Sequence, residues 1–554
     1  MPSSEIAGSA ALVTGPDGVS ARTNGRGGGL RSHRGAALAV LCLAAFIINV
    51  DTTIVNITLP SLVRQLDATT SELQWVVDAY TLTFAALVLA AGSLGDRYGR
   101  KGALLTGLAV FGGATAVGGL VDTPTALHAV RAVMGVGAAI IFPATLSIIS
   151  NLYTERKERA KAIGIWGAMT GLGIAFGPVT GGWLLESFWW GSVFVAMAPV
   201  AAVTLVAAVV FVPTSRDPAT PPLDVGGLVL STLAVGTLVF TIIEAPERGW
   251  TDPVTLAGFA TAALLAVVFV VWEQRRTRPM LDVDLFRNLR FSAASASVTV
   301  VFFALAGFTF LITQYFQFLK GYEPLSTGVR ILPVAVSVAV GSIVGVKLSV
   351  AFGNKAIVAT GLALVGASFA WVSTDSASTP YLAMAGQMIV AGVGMGFTTA
   401  PATEAIMGVV PKEKAGIGSA VNDATRELGA TLGVAVVGSV FASIYVSDLE
   451  GSAAADTVPQ PALDRAGEGI GAALGVGEQL GEAGRPLVAA ARDAFFDGFQ
   501  VGCLTAAGVL FVGALFAARF LPSRPTPPPG ADDDTDAAAN GTEAHAADAL
   551  VPLA

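Results

Sequence analysis

The sequence predicts an all-α polytopic membrane protein with fourteen spans, and three observations carry that expectation. Of 554 residues, 53% are hydrophobic and 13% charged, where a soluble chain carries about a quarter charged. The apolar residues come in continuous blocks close to the roughly 20 residues that a helix needs to cross a bilayer. Lysine and arginine collect in alternate gaps between those blocks, as positive charge does along a chain that weaves through a membrane.

Each span follows from one block. The first, 36–57, opens at Ala36 behind a Gly/Ser-rich leader and carries Asp51 near its far end. The second, 73–95, follows the stretch SELQWVVDAYTL from Ser71 and holds Asp78. A short charged loop, GSLGDRYGRK from Gly92, separates it from the third, 102–121. The fourth, 125–150, contains Arg131, and the fifth, 160–185, is rich in glycine. Spans six to eight are expected at 189–212, 224–244 and 254–273, and spans nine to twelve at 291–317, 327–350, 355–374 and 381–409. The thirteenth, 416–446, holds Asn422, Asp423, Arg426 and Glu427, and the fourteenth is 496–520.

Orientation follows from the basic residues. If both termini are cytoplasmic, the inner segments hold Arg22, Arg26, Arg31 and Arg34, then Arg97, Arg100 and Lys101, then Arg156, Lys157, Arg159 and Lys161. Arg216, Arg275, Arg276, Arg278, Arg287, Arg290, Lys347, Lys355, Lys412, Lys414, Arg519 and Arg524 fall on the same side. The outer segments hold Arg64, Arg248, Lys320, Arg330, Arg465, Arg485 and Arg492. That is about a threefold excess inside, and an odd number of spans would break it. The Ala/Gly/Val-heavy composition suggests a high-GC bacterium, so the expected location is the bacterial cytoplasmic membrane.

The remaining segments exclude several functions. The leader (1–35) and the tail (522–554) have too few apolar residues to pack and are expected to be disordered and cytoplasmic. Much of the net charge of −8 lies in that tail, at Asp532, Asp533, Asp534, Asp536, Glu543 and Asp548, so it does not speak for a partner. The first apolar block reads as a retained helix rather than a cleaved signal. Cys42 and Cys503 fall within spans and read as small core residues. There is no GxxxxGK[ST] phosphate loop, so ATP is not expected as the energy source. His33, His128 and His545 are scattered, which gives no metal-ligand spacing. No nucleophile–base pair suggests an enzyme. Nucleic acid and cofactors are not expected.

Charge inside the spans is the most informative feature. A carboxylate in the hydrocarbon costs roughly 2.5–3.5 kcal/mol on insertion scales, so Asp51 marks a functional site by default. Arg131 lies about six residues, roughly 9 Å, below the outer face. Asp78 and Asp51 fall in the same layer. Three charges at one height predict an Asp51–Arg131 cluster, with or without Asp78, either as a functional site or as a structural ion pair. In span thirteen, Asp423 and Glu427 share a helix face, and Asp423 and Arg426 are spaced to pair. They form either a second acid site, with Asn422, or a solvated group near the interface. Gln314, Tyr315 and Gln317 are candidates for the cavity wall, and Trp166, Met169 and Phe176 for apolar contacts. Glu244 and Glu404 read as interfacial. A faint repeat relates the loop at Gly99 and Lys101 to Gly353 and Lys355, which suggests two related halves with a site between them.

Four segments, NVDTTIVNITLP from Asn49, GSLGDRYGRK from Gly92, LHAVRAVMGVGAA from Leu127 and GLGIAFGPVTGG from Gly171, together resemble the major facilitator superfamily. The likeness is to its fourteen-helix drug:proton antiporters of the EmrB/QacA type and runs from about Ala36 to Leu521. It implies two six-helix bundles, at 36–212 and 291–521, with two extra linker helices at 213–290 and a long extracellular loop at about 447–495. It implies proton coupling for Asp51, Arg131 and Asp78, although Met134 stands where the pattern often has glutamine. It implies a conformational latch at Gly92, Asp96, Arg97, Gly99, Arg100 and Lys101. Gly173, Gly177, Pro178, Gly181 and Gly182 match the segment that marks exporters. Asp423, Glu427, Asn422 and Gln314 are then substrate or proton site candidates. The implied function is proton-coupled efflux of lipophilic drugs or antibiotics, cationic or not, by a monomer embedded in lipid. The alternatives are a narrow exporter of an endogenous antibiotic or metabolite, and a membrane sensor that transports nothing.

Overall fold

The computed structural model describes residues 26–215, 224–277, 279, 281, 283–409 and 415–523. The leader through residue 25 and the tail from 524 lie outside the described residues, as do Arg22, Arg216, Arg278, Lys412, Lys414, Arg524, the acidic tail residues and His545.

Among the described residues the chain is helical throughout, and fourteen segments are long and apolar enough to cross a membrane. The helices are α1 (Arg26–Leu66), α2 (Thr70–Tyr98), α3 (Arg100–Gly118), α4 (Pro124–Leu152), α5 (Arg156–Ser187), α6 (Ser192–Phe211), α7 (Val225–Arg248) and α8 (Pro253–Arg275). They continue as α9 (Leu289–Gln314), α10 (Pro324–Phe352), α11 (Asn354–Val372), α12 (Tyr381–Val409), α13 (Ala415–Glu450), α14 (Gln460–Gly467), α15 (Ile470–Leu480) and α16 (Arg485–Phe520).

Local sequence sets where the helices begin. Thr69 and Glu72 form a reciprocal capping box at the start of α2, which meets two of the amide donors a helix start leaves open. Asp224, Asp252 and Asn288 cap α7, α8 and α9. Proline opens α4, α8, α10 and α16, where its missing N–H costs nothing. Two boundaries differ from expectation. The first helix starts at Arg26, inside the segment expected to be disordered, because a helix can run on past the end of its apolar block. The 447–495 segment is largely helical as well: α13 and α16 overrun into it, and α14 and α15 fill the middle.

Helices α1 to α6 pack among themselves, as do α9 to α13 with α16. The α7–α8 pair stands beside them. α7 lies across α2 and α13, where Val239, Ile242 and Ile243 meet Trp75, Leu82 and Ala435. α8 leans on α7, and its end is fixed where the Trp272 indole N–H donates to Asp224 at 3.1 Å under the Arg276 guanidinium, 4.2 Å from the ring.

The faint repeat is visible in the backbone. Gly99, between α2 and α3, has φ +133°, and Gly353, between α10 and α11, has φ +86°, a region that favours glycine. The next amide in each half bonds a distant carbonyl: Arg100 N–H to Ser215 O at 2.9 Å, and Asn354 N–H to Ser523 O at 3.1 Å. These turns mark the basic face of the molecule. The opposite face, capped by α14 and α15, is the cap face.

Candidate functional site

The charged site begins with α1 and α4. Asp51 Oδ2 accepts from Arg131 Nη1 at 2.7 Å, and both side chains are buried. Arg131 Nε donates to the Val76 carbonyl at 2.9 Å. Its guanidinium carbon lies 4.3 Å from the Tyr80 ring centre, and its Nη2 has no partner. The expected pair therefore forms.

Asp78 does not join it. Depth in a span does not fix direction around a helix. Arg131 reaches Val76 and Tyr80, four residues apart on one face of α2. Asp78 sits midway between them in sequence, about 200° around the helix from each. It instead shares a stripe with Gln74 and Thr81, and both of those bond α13. Gln74 Nε2 donates to Val434 O and Ala435 O, each at 3.1 Å, and to Ser439 Oγ at 3.3 Å. Thr431 Oγ1 donates to Thr81 Oγ1 at 2.9 Å. Asp78 is buried on this seam between the two helix groups, with Thr81 nearby, and neither carboxylate oxygen has a hydrogen-bond partner.

The second acid site lies on α13. Asn422 Oδ1 accepts from Thr403 Oγ1 of α12 at 3.1 Å. Asp423 is buried, and its Oδ2 and Glu427 Oε2 are both without partners. The expected Asp423–Arg426 pair does not form. Arg426 lies over the Phe302 ring of α9 at 4.6 Å instead, because spacing permits an i,i+3 pair without requiring one.

Gln314 stands near the end of α9. It is buried and donates to Phe310 O of its own helix at 3.2 Å. Tyr315 and Gln317 belong to the cap side: Tyr315 Oη donates to Ser376 O, while Gln317 donates to Ile57 O at 3.0 Å and accepts from Arg64 at 3.3 Å. Trp166 is packing, with its N–H on Thr145 Oγ1 and its ring edge-on to Phe142. Phe176 lies against Phe46. Met169 packs at the edge of the core. Glu244 pairs with Arg248 at 3.1 Å at the end of α7, and Glu404 accepts from Asn354 at 2.8 Å beside the basic-face turn.

The exporter segment joins α5 to two neighbours. A Cβ on Gly173 or Gly177 would fall 2.8 Å from carbonyls of α1, and Gly181 faces Ile54. Gly182 faces α10, where a Cβ would fall 2.5 Å from Leu325 Cα, and Gly328 of α10 meets the Pro178 carbonyl. The same face of α5 is bare nearer the basic side. Gly171 and Gly164 lie about three and five turns before Gly182 on that stripe, and neither has an atom within 4 Å of a Cβ position. The α5–α10 seam thus touches near the cap and parts toward the basic face.

Hydrogen bonds agree. Among the described residues, those joining the two helix groups lie on the cap side or at mid-height: Arg64 with Gln317, Gln74 and Thr81 with α13, and Glu186 Oε1 with the Leu325 amide at 3.0 Å. The cap covers this closure. Thr70 N–H and Oγ1 both donate to Glu468 O at 3.0 Å, and Arg465 bonds Asp67 at 2.9 Å. On the basic face, Arg100 pairs with Asp96 at 2.6 Å and Lys101 Nζ donates to Val209 O at 2.8 Å. Gly92 packs on Pro143, and Arg97 lies over Tyr98. The latch segment therefore ties α2 and α3 to the end of α6. Among the described residues no group of His, Cys, Asp and Glu could hold a metal.

Two residues of this arrangement escaped sequence reading, Gln74 and Tyr80. Both stand in the SELQWVVDAYTL stretch, and a glutamine inside an apolar span was the available signal.

Residues 41–434 match the family described as Major Facilitator Superfamily. The multidrug efflux pump LfrA of Mycolicibacterium smegmatis is 33% identical over 479 residues, covering 86% of this chain and 94% of LfrA. The methyl viologen resistance protein SmvA of Salmonella typhimurium is 32% identical over 483 residues, covering 86% of this chain and 96% of SmvA. Among solved structures, a bacterial homolog of the human lysosomal transporter Spinster, inward-facing and unoccupied, superposes with a TM-score of 0.62 at 18% identity. It covers 90% of this chain and 99% of that one, a likeness of fold.

Proposed function

Because this chain belongs to the Major Facilitator Superfamily, we propose that it exports lipophilic, cationic drugs or antibiotics across the bacterial cytoplasmic membrane in exchange for protons. The relatives support the efflux half of this reading, since both are named for drug efflux or resistance. The single observation that carries the proton half is the buried Asp51–Arg131 pair, with unpartnered carboxylate oxygens at Asp78, Asp423 and Glu427 in the same membrane interior. Buried acids are costly as lone charges, and either a proton or a cationic cargo relieves that cost.

The basic face is the cytoplasmic one, with both termini there, as the excess of lysine and arginine requires. The structure is then closed outside and parted inside, and Gln74, Arg64 and Glu186 hold the outer seal. Cargo enters from the inner side or inner leaflet, the bundles rock, and outer protons discharge it. A pH difference of one unit supplies about 1.4 kcal/mol per proton, and 100 mV about 2.3 kcal/mol per charge. One proton exchanged for one monovalent cation moves no net charge and gains only the first. A second titrating acid brings in the potential, and the acids of α13 supply it. The protein acts as a monomer.

The test uses everted vesicles with an imposed proton gradient and a lipophilic dye cation. Wild type accumulates dye and Asp51→Asn does not. Equal accumulation by Asp51→Asn removes Asp51 from coupling.

A further inference from the structure

We propose that Tyr80 is the positioning residue that connects the two acid sites: its ring holds Arg131 on Asp51, and its hydroxyl answers to Glu427 across the interface between the bundles. The proposal rests on the efflux reading above and specifies how its two acids communicate.

Tyr80 is fully buried on α2. Its ring lies 4.3 Å from the Arg131 guanidinium carbon, an attraction that strengthens away from water. Its hydroxyl has Thr52 nearby but makes no hydrogen bond. Phenylalanine would fill the same space without an unmet hydroxyl, so packing alone does not account for tyrosine here.

Arg131 of α4 lies against the ring and holds Asp51 of α1 at 2.7 Å, and α13, which carries Glu427, meets α2 through Thr431 and Thr81. Two of these charged groups also keep unpartnered atoms, Arg131 Nη2 and Glu427 Oε2. Tyr80 thus lies against a cation of its own bundle, on a turn that packs on the helix carrying a carboxylate of the other. Arg426 and Asp423 are the charged neighbours of Glu427 on its own helix. Asp78 lies around the far side of α2, Arg426 lies over Phe302, and Asp423 is one turn from Glu427 on α13.

The backbone fixes this meeting. Thr431 Oγ1 lies 2.9 Å from both the hydroxyl of Thr81, the next residue, and the Glu427 carbonyl oxygen, and its one proton serves either. The turn that carries Tyr80 is therefore tied to the turn that carries Glu427. Gly135 faces the Tyr80 carbonyl so closely that any side chain there would displace α4.

One hydroxyl proton can serve one carboxylate at a time. When Glu427 carries a proton, its carboxyl donates to Tyr80 Oη, directly or through one water, and the Tyr80 O–H donates to Asp51 beside Arg131. When Glu427 has lost its proton, the Tyr80 O–H turns to it, and Asp51 keeps Arg131 alone. No covalent bond to a heavy atom changes. The loading of Glu427 is reported to the Asp51–Arg131 pair.

The experiment uses the full chain in proteoliposomes with a lipophilic dye cation, and compares wild type, Tyr80→Phe, Glu427→Gln and the double variant. Tyr80→Phe keeps the ring and is expected to bind dye with wild-type affinity, which also shows that it is folded. Its kcat is expected to fall about tenfold at unchanged KM. Glu427→Gln shifts the pH profile of wild type but not that of Tyr80→Phe, because the reporter is already gone. Tyr80→Leu also frees Arg131 and weakens dye binding. Wild-type kcat and pH profile in Tyr80→Phe, or a full further effect of Glu427→Gln in its background, overturns the proposal. If wild type itself moves no dye under a proton gradient, the efflux reading has failed instead.

Discussion

Asp51 and Asp78 are two buried carboxylates with opposite surroundings. Asp51 faces inward within one bundle and is paired at 2.7 Å with Arg131. Asp78 faces the other bundle, on the stripe between Gln74 and Thr81, and neither of its oxygens has a partner. The first is a charge whose neighbour travels with it when the bundles rock. The second sits on the seam where α2 bonds α13. A buried carboxyl without a counter-charge is carried at least cost with its proton on. The contrast therefore suggests a division of labour. On the proposed efflux reading, Asp51 would exchange protons for cargo, and Asp78 would sense whether the seam under the cap is shut.

The largest effect tests the paired member. Asp51→Asn leaves Arg131 buried without its counter-charge, and breaking a buried pair costs about 3–5 kcal/mol. Proton-driven dye transport is expected to fall to background and the thermal midpoint to drop. Calorimetry of the detergent-solubilised protein separates the two losses. The Asp51→Asn/Arg131→Met double variant is expected to regain stability but not transport. If it regained transport, the pair would be a structural staple.

Asp78→Asn is expected to behave in the opposite way. It replaces an unpaired acid with a neutral amide of the same shape, so stability holds or rises. The outer seam then stays shut, and transport slows several-fold, a shift of about 1 kcal/mol in the opening equilibrium. Labelling a cysteine placed at Ser439 from the outside reads the opening. Labelling that is faster than in the same background with Asp78 intact would reverse the assigned role.

Gln74 probes the same seam from its neutral side. Gln74→Leu removes one donor group with three acceptors across the seam, a loss of about 1–3 kcal/mol. It is expected to speed outer labelling, which Asp78→Asn slows. Gly438→Ala reaches the same end by another route, since a Cβ there would collide with the Gln74 amide. Agreement between the two variants would show that the notch, rather than the glutamine alone, makes the seal.

The sequence made the helices legible because bilayer crossing imposes length and apolarity, and fourteen such segments are present. The Asp51–Arg131 pair was legible for a related reason: opposite charges at one depth in hydrocarbon have few other partners. The direction of Asp78 was not, since depth is one coordinate and rotation about the helix is another. Asp423 and Arg426 show the same limit, because i,i+3 spacing allows a pair and the Phe302 ring took the guanidinium instead. Gln314 read as a cavity group on polarity alone, and its amide N–H is taken up by its own helix. Gln74 and Tyr80 depend on which bundle faces them, a long-range fact that no local pattern carries.

The smallest expected effect lies outside the membrane, at the cap. Glu468 is held above the ordinary carboxyl range, first by burial and then by Glu72 and Asp67, against the opposing pull of Arg465. Its backbone carbonyl takes both donors of Thr70, so the carboxyl sits where the cap meets α2. A raised value in the docked cap means that docking binds the proton more tightly than release does. Glu468 therefore supports docking fully below its ordinary value of 4.5, and this support is lost as pH climbs through the higher docked value. Hydrogen exchange in α14, corrected for intrinsic rates, is expected to show more frequent opening at pH 8 than at pH 4. Glu468→Gln should flatten that dependence while leaving dye transport at fixed pH nearly unchanged. If the dependence survived in Glu468→Gln, the pH response of the cap would originate in the seam beneath it, and Asp78 would be the next residue to test.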